Sequence, residues 1–299
     1  MNTEHINLVS LKPFYTLTPS FFEDTIESIN ELLIAAGFKT SISCNQIDPS
    51  VLNIIFGANS HLSPPLAEIR SVAKPEFTVV FNMEQIKYGN SFVTPEYISF
   101  LAEYKVWDYN QNNINAMRLY NSDIDAFEFP VIPARKFASD YSPNAQTTPL
   151  VHDLSFWGAS CSRRDELLQS LQRNGIRVNR VNGAFGSALS SAIAGSKICM
   201  NIHALDSGIF EVARCLRPIA MGIPIISETS VMPESIDWSQ SGIIFCDYAD
   251  MERVCLDLIS HPDEILRLTR KNLEFLSRNG LSAALLDSTR GIVAKSINS

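Results

Sequence analysis

The sequence NIHALDSGIFEVAR, residues 201–214, joins an apolar run to a helical run through a short polar turn. A strand that enters a helix through a turn with glycine directs backbone N–H groups and the positive end of the helix dipole at any group above the turn, typically a phosphate. This stretch therefore predicts an anion-binding turn. The alternative is a well-capped helix in which Glu211 and Arg214, three residues apart, form an ordinary surface ion pair.

The same strand-to-helix order repeats along the chain, which is typical of parallel α/β architecture. The pattern predicts strands at residues 6–10, 40–44, 51–56, 77–82, 127–133, 153–158, 176–181, 197–202, 223–227 and 242–246. It predicts helices at residues 19–36, 110–120, 162–173, 187–195, 207–221, 249–260, 262–278 and 282–294. Residues 139–149 are the most linker-like, so we predict two domains, residues 1–145 and 146–299.

The composition restricts the classes of partner. With 24 Lys+Arg against 32 Asp+Glu and no basic cluster denser than residues 162–164, we expect no nucleic-acid partner. The six cysteines are widely spaced without a C-x-x-C pair, so we interpret them as reduced core residues. No apolar run approaches the roughly 20 residues that span a bilayer, and the N-terminal sequence lacks the features of a signal peptide. We therefore expect a cytoplasmic protein without a transmembrane segment.

Two neighbouring motifs resemble a known family. The sequence FEVAR at 210–214, followed by AMGIPIISE at 220–228, is similar to the helix, glycine and strand of GT-B glycosyltransferases. The resemblance implies an α/β fold with two Rossmann-like domains facing a cleft. Residues 1–145 would bind the acceptor, and residues 146–299, with the terminal helices, would bind a nucleotide sugar as substrate, without a further cofactor.

Further motifs resemble a narrower group, small bacterial glycosyltransferase-like proteins linked to surface polysaccharide assembly. They are FWG at 156–158, RR at 163–164, NIH at 201–203 and FEVAR, with N-x-E-Q at 82–85 and VWDY at 106–109 in the N-terminal half. The resemblance implies transfer of a sugar to a glycan, a lipid-linked acceptor or another hydroxyl.

Position in the pattern and the resemblance together suggest the donor site. The candidate donor-binding residues are Gly158, Arg163, Arg164, Gly186, His203, Asp206, Ser207, Gly208, Glu211 and Arg214. The resemblance implies that Glu211 holds donor hydroxyls and that Arg214 and the Ser207–Gly208 turn receive the diphosphate. Larger retaining GT-B enzymes have a second glutamate where this chain has Arg217. That arginine could meet a phosphate or a carboxylate, or it could be an exposed helical residue.

A transfer that inverts the sugar would need a general base near the acceptor hydroxyl. His61, Glu84 and Asp108 follow strands or lie in loops of the N-terminal half and are the candidates. For each of them a structural hydrogen bond is the alternative. The letters D-x-D at 123–125 lie in a loop ahead of a strand, so we predict no metal site and a metal-independent transferase.

The sequence therefore favours a nucleotide-sugar-dependent glycosyltransferase, with peripheral association at the inner membrane face left open. Two alternatives use the same fold: a non-catalytic sugar-nucleotide-binding or regulatory module, and a sugar-nucleotide epimerase.

Overall fold

A computed structural model describes residues 5–12, 22–58, 65–87, 89–139, 149–204, 208–279 and 281–298. These residues form two compact units, each built on one parallel β-sheet with helices. The predicted α/β class with two parallel-sheet domains is confirmed.

The first unit contains a six-stranded sheet in the order β2-β1-β3-β4-β5-β6. Its strands are β1 His5–Ser10, β2 Lys39–Cys44, β3 Leu52–Phe56, β4 Thr78–Asn82, β5 Lys105–Asp108 and β6 Ala126–Glu128. Its helices are α1 Phe22–Ala35, α2 Leu66–Val72, α3 Pro95–Leu101, α4 Gln111–Tyr120 and α11 Ala283–Asn298.

A transverse row of branched aliphatic side chains forms the centre of this unit. Val9 pairs with Ile55, Ile55 with Val80, and Val80 with Val106, so the row crosses four adjacent strands at one level. All four side chains are fully buried. A buried apolar row across the central strands is expected where helices cover both faces of a parallel sheet, because the strands are then apolar over most of their length.

The second unit contains a five-stranded sheet in the order β11-β10-β9-β7-β8. Its strands are β7 His152–Trp157, β8 Val178–Val181, β9 Ser196–Asn201, β10 Ile225–Glu228 and β11 Ile243–Cys246. Its helices are α5 Lys136–Ser139, α6 Ser162–Arg173, α7 Gly186–Ile193, α8 Val212–Ala220, α9 Met251–Ser260 and α10 Pro262–Asn279. The strand order reverses beside β7, so the carboxyl ends of β7 and β9 flank the switch point where open α/β sheets bind ligands.

The two units differ from the predicted partition at residue 145. The first unit comprises the described residues of Met1–Val131, Pro233–Ile236 and Leu281–Ser299, and the second those of Ile132–Met232 and Asp237–Gly280. The last helix returns to the first unit because Trp107 Nε1 donates to Ser296 Oγ (2.9 Å) and Arg290 Nε donates to the carbonyl of Ala36 (2.8 Å). A division that follows chain order does not anticipate such a return.

The helix predicted at 207–221 begins later than expected. Ile209 forms an isolated parallel bridge with Val231, and the amide of Phe210 donates to the carbonyl of Val231 (3.0 Å). This pairing holds residues 209–210 extended, so α8 begins at Val212.

Candidate anion-binding site at the switch point

Two arginines from different helices meet at the carboxyl ends of β7 and β9. Arg164 is the third residue of α6 and Arg214 is the third residue of α8. Arg164 Nε donates to the carbonyl of Ile202 (2.9 Å), and Arg214 Nη1 donates to Asn201 Oδ1 (2.8 Å). The side chains are only 3% and 13% exposed. Two like charges are therefore held together in a largely dry environment.

Gly158, directly after β7, makes this pairing possible. A β-carbon at this position would lie 3.1 Å from Arg214 Nη2 and 3.2 Å from Arg164 Nη1. Its φ of +138° is also one that residues with side chains rarely adopt. The glycine predicted from the FWG motif is thus required both by the backbone and by the two guanidinium groups.

Among the residues that the structure describes, Glu211 is the carboxylate that pairs with both of these arginines. It forms an ion pair with Arg214, and its Oε1 lies 3.6 Å from Arg164 Nη2. Burial would raise the pKa of Glu211, but the charges of Arg214 and Arg164 outweigh it and the pKa is lowered to about 2. Burial and the neighbouring Arg214 lower the pKa of Arg164. Two cations balanced by one anion leave a net positive charge, so this cluster favours a further anion.

The ion pair between Glu211 and Arg214, which the alternative interpretation places on the helix surface, is present, but its surroundings differ from that alternative. Both side chains lie mostly inside the unit, with Arg214 13% and Glu211 20% exposed. A helix-surface pair of the ordinary kind would be worth only about 0.3–0.5 kcal/mol. The burial indicates a site rather than a solvated face.

Arg163 is engaged differently from its neighbour. Its guanidinium pairs with both carboxylate oxygens of Glu228 and lies 3.8 Å from the ring centroid of Tyr248. The Tyr248 hydroxyl donates to the carbonyl of Arg163 (2.7 Å). Neither Glu228 nor Tyr248 is among the donor-binding residues predicted from the sequence. Glu228 ends β10 at the same sheet edge, so the strand-end rule would have found it.

His203 connects Glu228 and Glu211. Its amide donates to Glu228 Oε2 (3.1 Å), its Nε2 lies 2.7 Å from Ser230 Oγ, and its Nδ1 lies 3.6 Å from Glu211 Oε1. The side chain is 1% exposed. Of the predicted donor residues, Gly158, Arg163, Arg164, His203, Glu211 and Arg214 are thus brought together.

The remaining predicted donor residues are less directly placed. Gly208 accepts a weak hydrogen bond from the amide of Val231 (3.4 Å), while Asp206 and Ser207 lie outside the described residues. Gly186 begins α7 with a φ of +58°. The nearest atom to a β-carbon built on it would be Arg217 Nη2, at 3.8 Å.

Arg217 is not an exposed helical residue, and that interpretation is wrong. Its side chain is buried, Nη1 donates to Ser190 Oγ (2.8 Å), and Cζ lies 4.3 Å from the ring centroid of Phe137. Burial over an aromatic ring with a hydroxyl partner gives the guanidinium a packing role.

Two of the three candidate bases, Glu84 and Asp108, lie in the first unit. Asp108 is completely buried, with Oδ2 accepting from Asn82 Nδ2 (2.6 Å) and Asn113 Nδ2 (2.8 Å) and Oδ1 accepting from the amide of Asn110 (2.8 Å). Burial raises the pKa of Asp108 to about 7 although these bonds lower it. This geometry favours the structural interpretation. The backbone carbonyl of Glu84 accepts from the side-chain amides of Asn82 and Asn113 and so belongs to the same hydrogen-bond network. Glu84 itself is partly exposed. His61 lies outside the described residues.

Within the described ranges, no group of three or more His, Cys, Asp or Glu side chains is arranged to hold a metal ion. Over the same ranges, no helix combines the length and the apolar character needed to cross a membrane.

Comparisons with known sequences give distant, partial relatives. No known protein-family profile matches the chain. Three uncharacterized proteins of Acanthamoeba polyphaga mimivirus are 32%, 35% and 25% identical over 107, 135 and 190 residues. These alignments cover 35%, 43% and 61% of this chain. They cover 12%, 18% and 59% of the relatives, so the chain spans less than two thirds of the length of each.

Comparisons with solved structures cover nearly the whole chain. An α-glucosyltransferase in complex with UDP and DNA containing an HMU base has a TM-score of 0.69 at 12% identity, covering 98% of this chain and 100% of that one. T4 phage BGT in complex with UDP and Mn2+ has a TM-score of 0.58 at 12% identity, and the match covers 99% of this chain and 100% of that one. WaaG, a glycosyltransferase involved in lipopolysaccharide biosynthesis, has a TM-score of 0.55 at 13% identity, and the match covers 96% of this chain and 99% of that one. The chain therefore has the GT-B fold of glycosyltransferases, as the resemblance implied.

These structures weaken one expectation from composition. Proteins of this fold include an α-glucosyltransferase bound to DNA and a DNA-modifying β-glucosyltransferase. The acidic charge of this chain therefore does not by itself exclude a nucleic-acid acceptor.

Proposed function

We propose that this protein is a glycosyltransferase that moves a sugar from a nucleotide-sugar donor to a hydroxyl acceptor. The observation that carries the proposal is the buried Arg164–Arg214 pair beside Gly158, with Glu211 as its counter-ion. Guanidinium groups bind phosphate oxygens through directed, charge-assisted hydrogen bonds. In a GT-B fold, a nucleotide diphosphate bound at this switch point fits that chemistry.

The same groups would assist the reaction. As the bond between the sugar and the diphosphate breaks, negative charge develops on the leaving diphosphate, and cations already fixed in place stabilise it most in the transition state. Arg164 and Arg214 are fixed by hydrogen bonds to Ile202 and Asn201. Glu211, ionised because its pKa is about 2, would accept a hydrogen bond from a donor hydroxyl.

We propose transfer without a metal ion, since the guanidinium groups can neutralise the diphosphate. T4 phage BGT was solved with Mn2+, so the proposal requires comparison of activity in EDTA and in Mn2+. Equal activity in both supports it, and activity that requires Mn2+ contradicts it.

The acceptor we propose is a glycan or a lipid-linked sugar of bacterial surface polysaccharide. Support comes from the narrower sequence resemblance and from the fold shared with WaaG. DNA containing an HMU base is the necessary comparison acceptor, because it is bound in the α-glucosyltransferase structure. Of the two candidate bases that the structure describes, Glu84 is partly exposed and Asp108 is buried, so we propose Glu84 as the base.

The test is a thermal-shift screen with UDP, GDP, CMP and their common sugar conjugates. A ligand that binds only the folded state raises its stability. We expect one nucleotide to stabilise the protein and Arg214→Gln to abolish the shift. Glu211→Gln should retain the shift with the free nucleotide and lose the additional shift given by the attached sugar.

The chain offers a matched control. Arg267 and Glu264 form another Arg–Glu pair three residues apart, on the exposed face of α10. Arg267→Gln should bind nucleotide like the wild type. If no nucleotide stabilises the protein, or if Arg267→Gln weakens binding as much as Arg214→Gln, the assignment of the site is wrong.

One observation favours the alternative of a non-catalytic binding module. Asp108, a candidate base, is buried and holds three N–H donors, so it is poorly placed to accept a proton from an acceptor. Release of nucleotide from the bound sugar conjugate, measured with and without acceptor, separates the two functions. Binding without release would support the module.

A further inference from the structure

His203 has one ring nitrogen whose hydrogen-bonding role the structure defines. The Ser230 hydroxyl donates its single proton to the carbonyl of Glu228 (2.7 Å). Its oxygen can therefore only accept from the imidazole, so His203 Nε2, at 2.7 Å, carries a hydrogen.

The other nitrogen faces a carboxylate. Nδ1 is buried without a hydrogen-bond partner among the described residues, and its nearest ionic neighbour is Glu211 Oε1 at 3.6 Å. In a neutral ring with Nε2 protonated, Nδ1 presents a lone pair. A lone pair directed at an ionised carboxylate is unfavourable, whereas a second proton converts the contact into a charge-assisted hydrogen bond.

The charges around His203 explain why the donor-free site does not require that proton. Arg214 and Arg164 balance Glu211. On the other side, Arg163 pairs with Glu228 and its Nη1 approaches the carbonyl of His203 (3.4 Å). A diphosphate on Arg164 and Arg214 would add negative charge and withdraw these cations from Glu211. His203 would then be the remaining described side chain able to pair with Glu211.

We propose that His203 is a positioning residue that takes up a proton at Nδ1 when a nucleotide-sugar diphosphate occupies the guanidinium groups of Arg164 and Arg214. This inference rests on the proposed function. Phosphate oxygens replace Glu211 at the two arginines, one proton from solvent binds Nδ1, and the new imidazolium pairs with Glu211 Oε1. The second carboxylate oxygen is then free for a sugar hydroxyl.

The test measures protons taken up on binding. Histidine is the side chain that ordinarily changes charge near neutral pH, so uptake can be measured there. UDP-glucose and GDP-mannose carry diphosphate diesters without a group that titrates in that range, unlike free UDP. Isothermal titration calorimetry of each ligand, in two buffers of different ionisation enthalpy at the same pH, gives the net uptake. We expect a positive uptake of at most one proton per bound ligand.

The variant His203→Gln supplies the discriminating readout. Its amide can still donate to Ser230 Oγ, but it cannot titrate. We expect this variant to bind the sugar nucleotide with no proton uptake. His261→Gln, at an exposed histidine beyond the end of α9, should retain the wild-type uptake.

The outcomes separate the two proposals. Binding without uptake in the wild type, or uptake that persists in His203→Gln, overturns the role of His203 and leaves the donor site intact. Absence of binding by either ligand overturns the proposed function and this inference with it. If His203→Gln does not fold, nitrogen NMR of the wild-type imidazole decides: protonation of both ring nitrogens in the bound state supports the inference, and a neutral ring contradicts it.

Discussion

Gly158 leaves free the space beside Arg214: a β-carbon on Gly158 would lie 3.1 Å from Nη2 of that arginine. Together with the φ of +138°, this predicts that Gly158→Ala strains the backbone and displaces a guanidinium group. We expect a loss of unfolding free energy of about 1–3 kcal/mol and weaker nucleotide binding. Chemical denaturation and a nucleotide titration measure the two effects.

Gly175→Ala separates these two effects. Gly175 also has a positive φ, +85°, but a β-carbon there would meet no atom within 4 Å. This variant should lose stability without any change in nucleotide affinity. Equal loss of affinity in both variants would show that Gly158 acts through the backbone alone.

Asp108 predicts a pH dependence of stability. Its pKa is raised from 3.8 to about 7 in the folded protein, chiefly by burial, so the folded state binds the proton more tightly than the unfolded chain does. The contribution of Asp108 to stability is therefore fully present below pH 3.8 and is lost as the pH rises through about 7. Urea denaturation from pH 5 to 8 should show this decline for wild type and a flatter profile for Asp108→Asn.

The variant should also be less stable at low pH, because one of the three N–H donors around Asp108 would then face an amide N–H. A loss of about 1–3 kcal/mol is expected for one unsatisfied buried donor. Asp123→Asn, at an exposed residue, should leave both the stability and its pH profile unchanged.

Glu211 predicts the opposite sign at a lower pH. Its pKa is lowered from 4.5 to about 2 because the charges of Arg214 and Arg164 outweigh the effect of burial. Its contribution is therefore present above pH 4.5 and is lost as the pH falls toward about 2. The stability difference between wild type and Glu211→Gln should shrink as the pH is lowered through this window. A constant difference would mean that folding leaves the pKa of Glu211 unchanged, and it would contradict the pairing with the two arginines.

The sequence was sufficient for the fold class because both periodicities are strong. Strands such as Leu52–Phe56 are buried throughout and apolar except for Asn53, and helices such as Ser162–Arg173 bury a regular face of leucines. Contacts between distant parts of the chain were not predictable. The bond between Trp107 and Ser296 joins residues 189 positions apart, and nothing in the local sequence of either one indicates it.

The site was predictable in part, because the order of strands and helices indicates which residues lie at the carboxyl ends of the strands. Arg164 and Arg214 follow strand ends and lie in first helical turns, so position indicates them. Tyr248 enters the site through contacts of its ring and its hydroxyl with Arg163, a residue 85 positions away in sequence. Burial also could not be predicted for single polar residues: Asp108 and Arg217 occur in stretches whose pattern is equally compatible with exposure.

Arg217 provides a test of whether a buried cation near α7 serves the fold or the ligand. Its guanidinium donates to Ser190 Oγ and lies over the ring of Phe137, which predicts a packing role. Arg217→Met keeps much of the side-chain volume and removes the hydrogen bond and the charge. We expect a loss of unfolding free energy of about 1–3 kcal/mol. Nucleotide affinity should stay within about twofold of wild type, which corresponds to a change in binding free energy of about 0.4 kcal/mol. Arg217→Lys should recover part of the stability but not all of it, because an ammonium cannot reproduce the planar contact with the ring. A tenfold loss of nucleotide affinity in a stably folded Arg217→Met protein would instead show that this arginine contacts the ligand, and the donor site would then have to extend from the switch point toward Gly186.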